Sequence, residues 1–425
     1  MIFLQYTRAM RKLKFKKLSI KQIFLLGLLI RLLVMPFFAH DDIFAEHRRA
    51  EKIVCQGKSP LSYSAYGLKT LESAFTLIFT PFITCDNLAQ IQISNTEVDN
   101  LNRVLFFFKL PYLLFEVGYW WIMWEILKPK GNKIKKQAAV FLSLNPIIIY
   151  SIYMFGRYES YNLFLSAIAI YSLFLYETTT KHKKYILFSS LALSLLLIFR
   201  FSYLLIIPAL IISFGIVSSG AVLAAATTTT GFLILKAIPF VANESQALVP
   251  DAAGLSSGIH QNYVYQSFIN LGGHSLYLFI FIFALIFFWW LEKQSKLLKK
   301  PVYKNFALLS SIIFLAFFAT TYFHPQYITW AMPFLLINIV NDKKGFLWKS
   351  FWWSIPFYFI YLLNWNIATT FGLAAPISEV FKAIEPENFI FVLDKQKWVN
   401  IARTFLTAAY LYWVYYLTKT YDQEN

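Results

Sequence analysis

The side chains most suited to chemistry stand just after the first apolar stretch of the chain. Asp41 and Asp42 are adjacent carboxylates at the point where a membrane helix would emerge into water. A carboxylate at that depth is partly desolvated, which would raise its pKa and let it accept a proton from an alcohol. The pair therefore predicts a general base, while a solvated helix cap is the other interpretation that the residues leave open.

Cationic or hydrogen-bonding side chains are predicted on the same side of the membrane as these acids, and they are Arg157, Arg200, His260 and His324. Arginine makes planar, bidentate contacts with phosphate, so these residues would suit a phosphate-bearing substrate. The alternative for each is an interfacial side chain that reaches lipid headgroups. Glu159 is either a substrate-binding residue or simply the ion-pair partner of Arg157.

Other sites are not indicated by the sequence, which has no Walker loop, no GxGxxG and no Cys/His spacing of a zinc site. We therefore predict no metal site, although whether a divalent metal assists is left open. Cys55 and Cys85 both fall in the first predicted outer loop. They are either a disulfide formed in an oxidising compartment or two small apolar residues.

The composition is that of a membrane protein. The 425 residues are 58% hydrophobic and 14% charged, whereas soluble domains carry about 25% charged residues. The net charge of +17 comes from Lys and Arg clusters between apolar runs, which is typical of cytoplasmic loops. Because no basic patch with interleaved aromatic residues lies outside those runs, we expect no nucleic-acid partner.

The apolar runs predict an all-α, polytopic integral membrane protein with about twelve transmembrane helices, folded as a single domain over residues 1–425. The predicted helices are at about 22–39, 102–127, 137–155, 160–176, 185–199, 201–217, 221–241, 274–291, 305–323, 328–340, 346–363 and 398–417. Both termini would be cytoplasmic, and residues 40–100, 242–273 and 364–397 would form outer loops. Within the first loop, residues 43–55 form an amphipathic stretch suited to the headgroup plane, and 73–83 is too short to span.

One pair of charges is predicted inside the membrane. Arg31 and Glu116 lie at similar depths in the first and second predicted helices. A charge at that depth is paired or functional, and we expect these two to form a structural ion pair.

Three landmarks, in chain order, resemble GT-C membrane glycosyltransferases. Asp41-Asp42, the amphipathic stretch, Gly57-Lys58-Ser59-Pro60 and Tyr63 resemble the first outer loop of that family. Asn145-Pro146 and Gly156-Arg157-Tyr158-Glu159-Ser160 are similar to its Asn-Pro and Gly-x-x-Glu-Ser region. His324-Pro325-Gln326-Tyr327-Ile328-Thr329-Trp330 looks like its Gln-Tyr-x-x-Trp motif. The likeness is to GPI mannosyltransferase I catalytic subunits and to bacterial relatives that use polyprenyl-phosphate sugars, although the family commonly shows Asp-x-Asp.

The resemblance implies an inverting transfer of a hexose, with mannose expected, from a polyprenyl- or dolichyl-phosphate donor in the membrane. A hydroxyl of a glycan or glycolipid acceptor would lose its proton to Asp41 or Asp42, with Asp41 slightly favoured. Arg200, His324 and Arg157 would bind the donor phosphate. Glu159, His260, Gln326 and Tyr327 are further candidates for binding substrate.

Two other functions fit a chain of this composition. A membrane transporter or a flippase for lipid-linked sugars is the main alternative, although no internal repeat is visible. A non-catalytic assembly subunit is the third. The bacterial plasma membrane is favoured over the endoplasmic reticulum because no retrieval signal closes the chain.

Overall fold

The structure of the protein, a computed structural model, describes residues 18–58, 66–90, 100–179, 182–216, 218–237, 265, 267–271, 274–386 and 394–423. The α-helices among them are α1 (Ile20–Val34), α2 (Asp41–Val54), α3 (Tyr66–Phe79), α4 (Cys85–Gln90), α5 (Leu101–Leu127), α6 (Asn132–Leu144), α7 (Pro146–Ile149), α8 (Glu159–Thr178), α9 (Lys184–Phe199), α10 (Ile207–Phe214), α11 (Ser219–Ala237), α12 (Leu278–Leu297), α13 (Val302–Thr320), α14 (Met332–Asn341), α15 (Phe346–Tyr361) and α16 (Lys395–Gln423).

Tighter and wider helical turns join several of these helices. Residues Tyr150–Met154 form a π-helical segment. The 3₁₀ segments are Phe201–Ile206, Pro325–Ala331, Leu362–Thr369, Phe371–Ala374 and Glu379–Ala383. The prediction of a mostly helical protein is therefore confirmed.

Helical stretches long and apolar enough to cross a membrane occur at Asn132–Met154, Leu278–Lys296 and Val302–Thr320 among the described residues. The last of these, α13, is buried along most of its length and packs against α8, α10, α12, α14 and α16. By contrast, α12 leaves the apolar side chains of Phe281, Leu285 and Phe288 exposed, as a lipid-facing helix does. The number of crossings stays a prediction.

A short β-hairpin corrects one predicted boundary. Strands β1 (Phe268–Leu271) and β2 (His274–Tyr277) pair antiparallel, with Leu271 opposite His274 and Phe268 opposite Tyr277. The eighth predicted helix, placed from residue 274, therefore begins only at Leu278. Hydropathy alone does not separate the two conformations, because an apolar run of a few residues suits a strand and a helix equally.

The local sequence explains where α1 begins and why the third predicted helix is broken. Ser19 and Gln22 form a capping box at the start of α1, in which each side chain accepts a hydrogen bond from the other's backbone N–H. The third predicted helix is broken between α6 and α7. There Pro146 lacks an N–H, and the Asn145 side chain instead accepts a hydrogen bond from Ile147 N–H at 3.0 Å.

The predicted pair inside the bundle is confirmed. Arg31 Nη2 and Nε lie 2.5 and 2.7 Å from the two carboxylate oxygens of Glu116, and both side chains are fully buried. Tyr153 and Trp120 donate further hydrogen bonds to Glu116. The bidentate contact ties α1 to α5.

Removing one member of this pair should unfold the protein more easily. Arg31→Met leaves a buried carboxylate without its cation, which typically costs about 3–5 kcal/mol of stability. The double variant Arg31→Met/Glu116→Leu should recover much of that loss, as read from melting in detergent. Glu125→Gln is the control, because Glu125 lies on the same helix as Glu116 in a partly exposed pair with Lys128 and surface pairs contribute at most about 1 kcal/mol. Equal melting of Arg31→Met and Glu125→Gln would contradict the structural role.

Candidate functional site

The acids lie at the first turn of α2, a helix separate from α1. His40 is the N-cap, and its Nδ1 accepts a hydrogen bond from the Asp42 backbone N–H at 3.1 Å. Asp41 and Asp42 sit at the positive end of the helix dipole, which favours carboxylates. Asp41 is exposed to solvent, whereas the Asp42 side chain is 38% exposed and turns towards a cation.

That cation is Arg157. Its Nη2 lies 3.2 Å from Asp42 Oδ2. The preceding residue, Gly156, has a φ of +81°, and a Cβ there would lie 2.9 Å from Ile43 Cδ1. Only glycine allows both this backbone conformation and this approach of α2, so Gly156 is what lets Arg157 reach Asp42.

The electrostatics of Asp42 differ from what its sequence position suggests. Partial burial would raise its pKa, but hydrogen bonding with His40 and the positive charge of Arg157 outweigh burial, so the pKa lies well below its usual range. The expected rise in pKa is therefore wrong for this carboxylate in the arrangement seen here. Asp42 is ionised at neutral pH and, while paired, is a weak proton acceptor.

His324 faces the same charges from the segment after α13. Burial, and then the positive charge of Arg157, lower its pKa to about 4, although Asp42 partly opposes the change. The imidazole is therefore neutral at physiological pH. It packs near Trp365 and Tyr327, with ring centroids 5.6 and 5.5 Å apart, and can act as a hydrogen-bonding group rather than as a cation.

Glu159 pairs with Arg200, which corrects the expected pairing with Arg157. Arg200 Nη2 lies 3.2 Å from Glu159 Oε1. Asn162 Nδ2 and Trp330 Nε1 donate to Glu159 Oε2 at 2.7 and 2.8 Å. The Glu159 side chain is completely buried, so in this conformation it orders Arg200 and Trp330 and is not open to a ligand.

An aromatic layer lies between the two arginines. The Arg200 guanidinium stands over Tyr158 at 4.8 Å and over Tyr327 at 5.3 Å, and Arg157 stands 5.5 Å from the Tyr158 ring. Tyr327 and Gln326 are almost fully buried in the 3₁₀ segment after His324. Tyr327 and Gln326 therefore support the site from the protein interior. His260, another of the predicted substrate-binding residues, lies outside the described residues.

Two cations that the sequence does not single out, Lys109, which is buried, and Arg403, which is partly buried, hold the helix ends around the site. Lys109 Nζ donates to the carbonyl oxygens of Met35 at 2.9 Å and Tyr153 at 2.8 Å, and also to that of Phe38. Three acceptors occupy the three N–H bonds of an ammonium group. A lysine inside the apolar run of α5 was the sequence signal that could have identified it.

Arg403 likewise donates hydrogen bonds to carbonyl oxygens, at the end of α13. Its guanidinium donates to the carbonyl oxygens of Phe318 and Thr321 at 2.7 Å and of Ala319 at 3.3 Å. The segment that carries His324 leaves the helix at this point, so Arg403 fixes its direction.

The cysteines also bear on the position of α2. Cys55, the C-cap of α2, forms a disulfide with Cys85, the first residue of α4, with a Cα–Cα distance of 5.7 Å. The predicted disulfide is confirmed. It connects the helix that begins with Asp41 and Asp42 to the rest of the first loop.

Comparison with family models, curated proteins and solved structures finds no match for this chain.

The neutral state of His324 predicts a stability that depends on pH. An unfolded chain binds a proton at this imidazole below about pH 6.5, whereas the folded protein binds it only below about 4. Stability from this group is thus present above pH 6.5 and is lost as the pH falls towards 4, by about 1–2 kcal/mol after allowance for partial exposure. His324→Gln should melt at a temperature that changes less over this range, with His182→Gln, an exposed histidine, as control. The same pH response in wild type and His324→Gln would contradict the assignment.

Proposed function

We propose that this protein is a GT-C-type glycosyltransferase that uses a polyprenyl-phosphate sugar as donor and transfers the sugar, with mannose expected, to a glycan or glycolipid hydroxyl. The observation that carries the proposal is the contact between a half-exposed carboxylate, Asp42, and a guanidinium, Arg157, at the ends of apolar helices. The phosphate of a membrane-bound donor needs a cation, and the acceptor hydroxyl needs a base. Arg157 and Asp42 supply one of each and are in direct contact.

In the proposed reaction the acceptor oxygen attacks the anomeric carbon from the face opposite the phosphate. Its proton passes to the carboxylate, a C–O bond forms, and the bond between the anomeric carbon and the phosphate oxygen breaks. The lipid phosphate leaves with the electron pair, so the configuration inverts. The leaving phosphate anion is a weak base, so it needs positive or hydrogen-bonding neighbours rather than a proton.

Asp42 is the better candidate for the base, in place of the initial preference for Asp41. Asp42 is partly buried and faces Arg157 and His324, while Asp41 points to solvent. A donor phosphate that binds Arg157 would compete with Asp42 for the guanidinium. As that ion pair weakens, the pKa of Asp42 rises towards its usual range, and the carboxylate becomes a base only when the donor is bound.

Arg157 is also the better candidate for the phosphate contact. The Nε atoms of Arg157 and Arg200 are both buried with no hydrogen-bond partner among the described residues, but the carboxylate partner of Arg157 is partly exposed to solvent. Arg200 has its carboxylate partner fully buried and is stacked on aromatic rings. We therefore assign Arg200 and Glu159 to the support of Tyr158 and Tyr327, and His324 to a neutral hydrogen bond with donor or acceptor.

The proposed setting is a multi-pass protein of about twelve helices in a bacterial plasma membrane, with both termini cytoplasmic and the site on the extracytoplasmic side. The Cys55–Cys85 disulfide supports this side for the first loop, because disulfides persist in oxidising compartments.

The function is tested by incubating the purified protein with a panel of polyprenyl-phosphate sugars and glycolipid acceptors. Release of polyprenyl phosphate together with a new inverted glycosidic bond is the expected result. A flippase would move the intact donor across a vesicle membrane without releasing lipid phosphate, and that outcome would reject the enzymatic proposal.

The two acids should behave differently when each is replaced by its amide. Asp42→Asn keeps shape but cannot accept the proton, so turnover should fall by about 10²–10⁴-fold with donor binding retained. Asp41→Asn is the matched control and should keep most of the wild-type turnover. Steady-state rates at matched expression and melting temperature measure the difference, and near-wild-type turnover of Asp42→Asn would remove it from catalysis.

The sidedness can be checked with introduced cysteines, since both native cysteines are in a disulfide. Ser275→Cys, in the hairpin, should react with a membrane-impermeant maleimide in intact cells. Lys133→Cys, in the basic segment at the start of α6, should react only after the cells are opened. Labelling of both from outside would be incompatible with the proposed topology.

A further inference from the structure

A cavity with both polar and apolar side chains in its lining lies at the opposite end of α13 from the candidate site. The helix begins at Val302 and ends at Thr320, so its 19 residues separate the two regions by about 28 Å at 1.5 Å per residue. The cavity lies between the start of α13, the end of α14 and the end of α16. Its polar lining includes Lys300, Lys304, Asn305, Asn338, Asn341 and Thr420.

A third lysine, Lys130, lies outside the lining but contacts it through Asn341. Lys130, in the turn after α5, donates from Nζ to Asn341 Oδ1 at 2.9 Å. Burial, and then the positive charge of Lys304, lower the pKa of Lys130. The two ammonium groups therefore repel each other, and an anion bound between them would relieve that repulsion.

The acidic residue in the cavity lining, Asp342, has both carboxylate oxygens in hydrogen bonds with neighbouring groups. Asp342 Oδ1 accepts hydrogen bonds from Tyr416 Oη at 2.8 Å and from Lys344 N–H at 3.0 Å, and Oδ2 accepts one from Leu347 N–H at 2.8 Å. Glu177, near the start of α13, accepts the Val302 N–H at 2.9 Å. These carboxylates therefore organise the helix ends beside the cavity.

We propose that this cavity binds a phosphate-bearing anion through Lys130 and Lys304. An ammonium group has three N–H bonds, and the contact with Asn341 uses one of those on Lys130. A general excess of lysine is expected at the cytoplasmic ends of membrane helices. That excess does not account for one lysine in the lining of a concave space and a second, from a separate segment, bound to an amide of the same lining.

The anion has two possible sources with the same chemistry. The phosphate of an anionic lipid headgroup could enter from the membrane boundary, and a soluble phosphate ester could enter from the aqueous side. The proposal does not depend on the glycosyltransferase assignment, because the cavity and the candidate site are at opposite ends of α13.

Binding is measured on the full-length protein by thermal melting. In non-ionic detergent, sodium phosphate should raise the melting temperature above that in sodium chloride of equal ionic strength, because ligands that bind the folded state stabilise it. In nanodiscs, phosphatidylglycerol should stabilise the protein more than phosphatidylcholine if a lipid headgroup is the source. A response to phosphate in detergent with no lipid dependence assigns the site to a soluble ester, and either response supports the cavity.

Variants decide whether the response comes from this cavity. Lys130→Gln/Lys304→Gln should require roughly a hundredfold more phosphate, or lose the lipid response, since each of the two charge-assisted hydrogen bonds contributes about tenfold. Lys344→Gln/Lys349→Gln removes the same charge from the same end of the protein outside the cavity lining and should respond as wild type. An equal loss in both double variants would mean non-specific charge binding and would overturn the proposal, as would no response to phosphate and to phosphatidylglycerol.

A second set of variants keeps the test valid if the double glutamine variant does not fold. Lys130→Arg/Lys304→Arg retains both charges and should bind. Asn338→Asp retains both lysines but adds a negative charge to the cavity lining, so it should weaken phosphate binding roughly tenfold. Unchanged binding by Asn338→Asp would contradict the site.

Discussion

Carbonyl groups at the ends of apolar helices must find donors away from water, and in this protein one buried and one partly buried cation supply them. Lys109 satisfies three carbonyl oxygens where α1 and the π-helical segment end, and Arg403 satisfies three more at the end of α13. An unsatisfied carbonyl in such surroundings costs several kcal/mol. The directions in which the chain leaves these helices are therefore fixed, and those exits lead to Asp42, Arg157 and His324.

Two carboxylate–guanidinium pairs near these exits have different surroundings and therefore different capacities. The Glu159–Arg200 pair is closed by Trp330, with no exposed surface on the carboxylate. The Asp42 carboxylate is 38% exposed and its contact with Arg157 is single. A ligand phosphate could exchange for that carboxylate at a modest cost, whereas breaking the closed pair would leave a buried charge unpaired. We therefore propose a chemical role for the open Asp42–Arg157 pair and a supporting role for the closed Glu159–Arg200 pair.

Much of the helical fold could be predicted from the sequence, because long apolar runs bounded by lysine clusters admit few other structures. Residues 102–127 and 185–199 were predicted within one residue of α5 and α9. The hairpin before α12 was missed because an apolar run of a few residues suits a strand and a helix equally. The π-helical segment after Asn145-Pro146 was missed because a change of helical type leaves no apolar signature.

The sequence indicated which residues belong to the candidate site but not which acid pairs with which arginine. Arg157 and Glu159 are two apart in sequence, and at that spacing side chains do not face each other at a helix start. Each instead meets a partner from another element, Asp42 and Arg200 respectively. Lys109 was passed over because a lone lysine in an apolar run gives no sign of the carbonyls it will meet. Long-range packing supplies that information, and a single sequence does not.

We propose that a donor phosphate takes Arg157 from Asp42 and so frees the carboxylate to act as a base. Electron cryomicroscopy of the protein with bound polyprenyl phosphate would reveal this exchange. We expect phosphate oxygens within hydrogen-bonding distance of the Arg157 guanidinium, with the Asp42 carboxylate turned away from that guanidinium. A phosphate bound elsewhere, with the Asp42–Arg157 contact still at its 3.2 Å, would rule the exchange out.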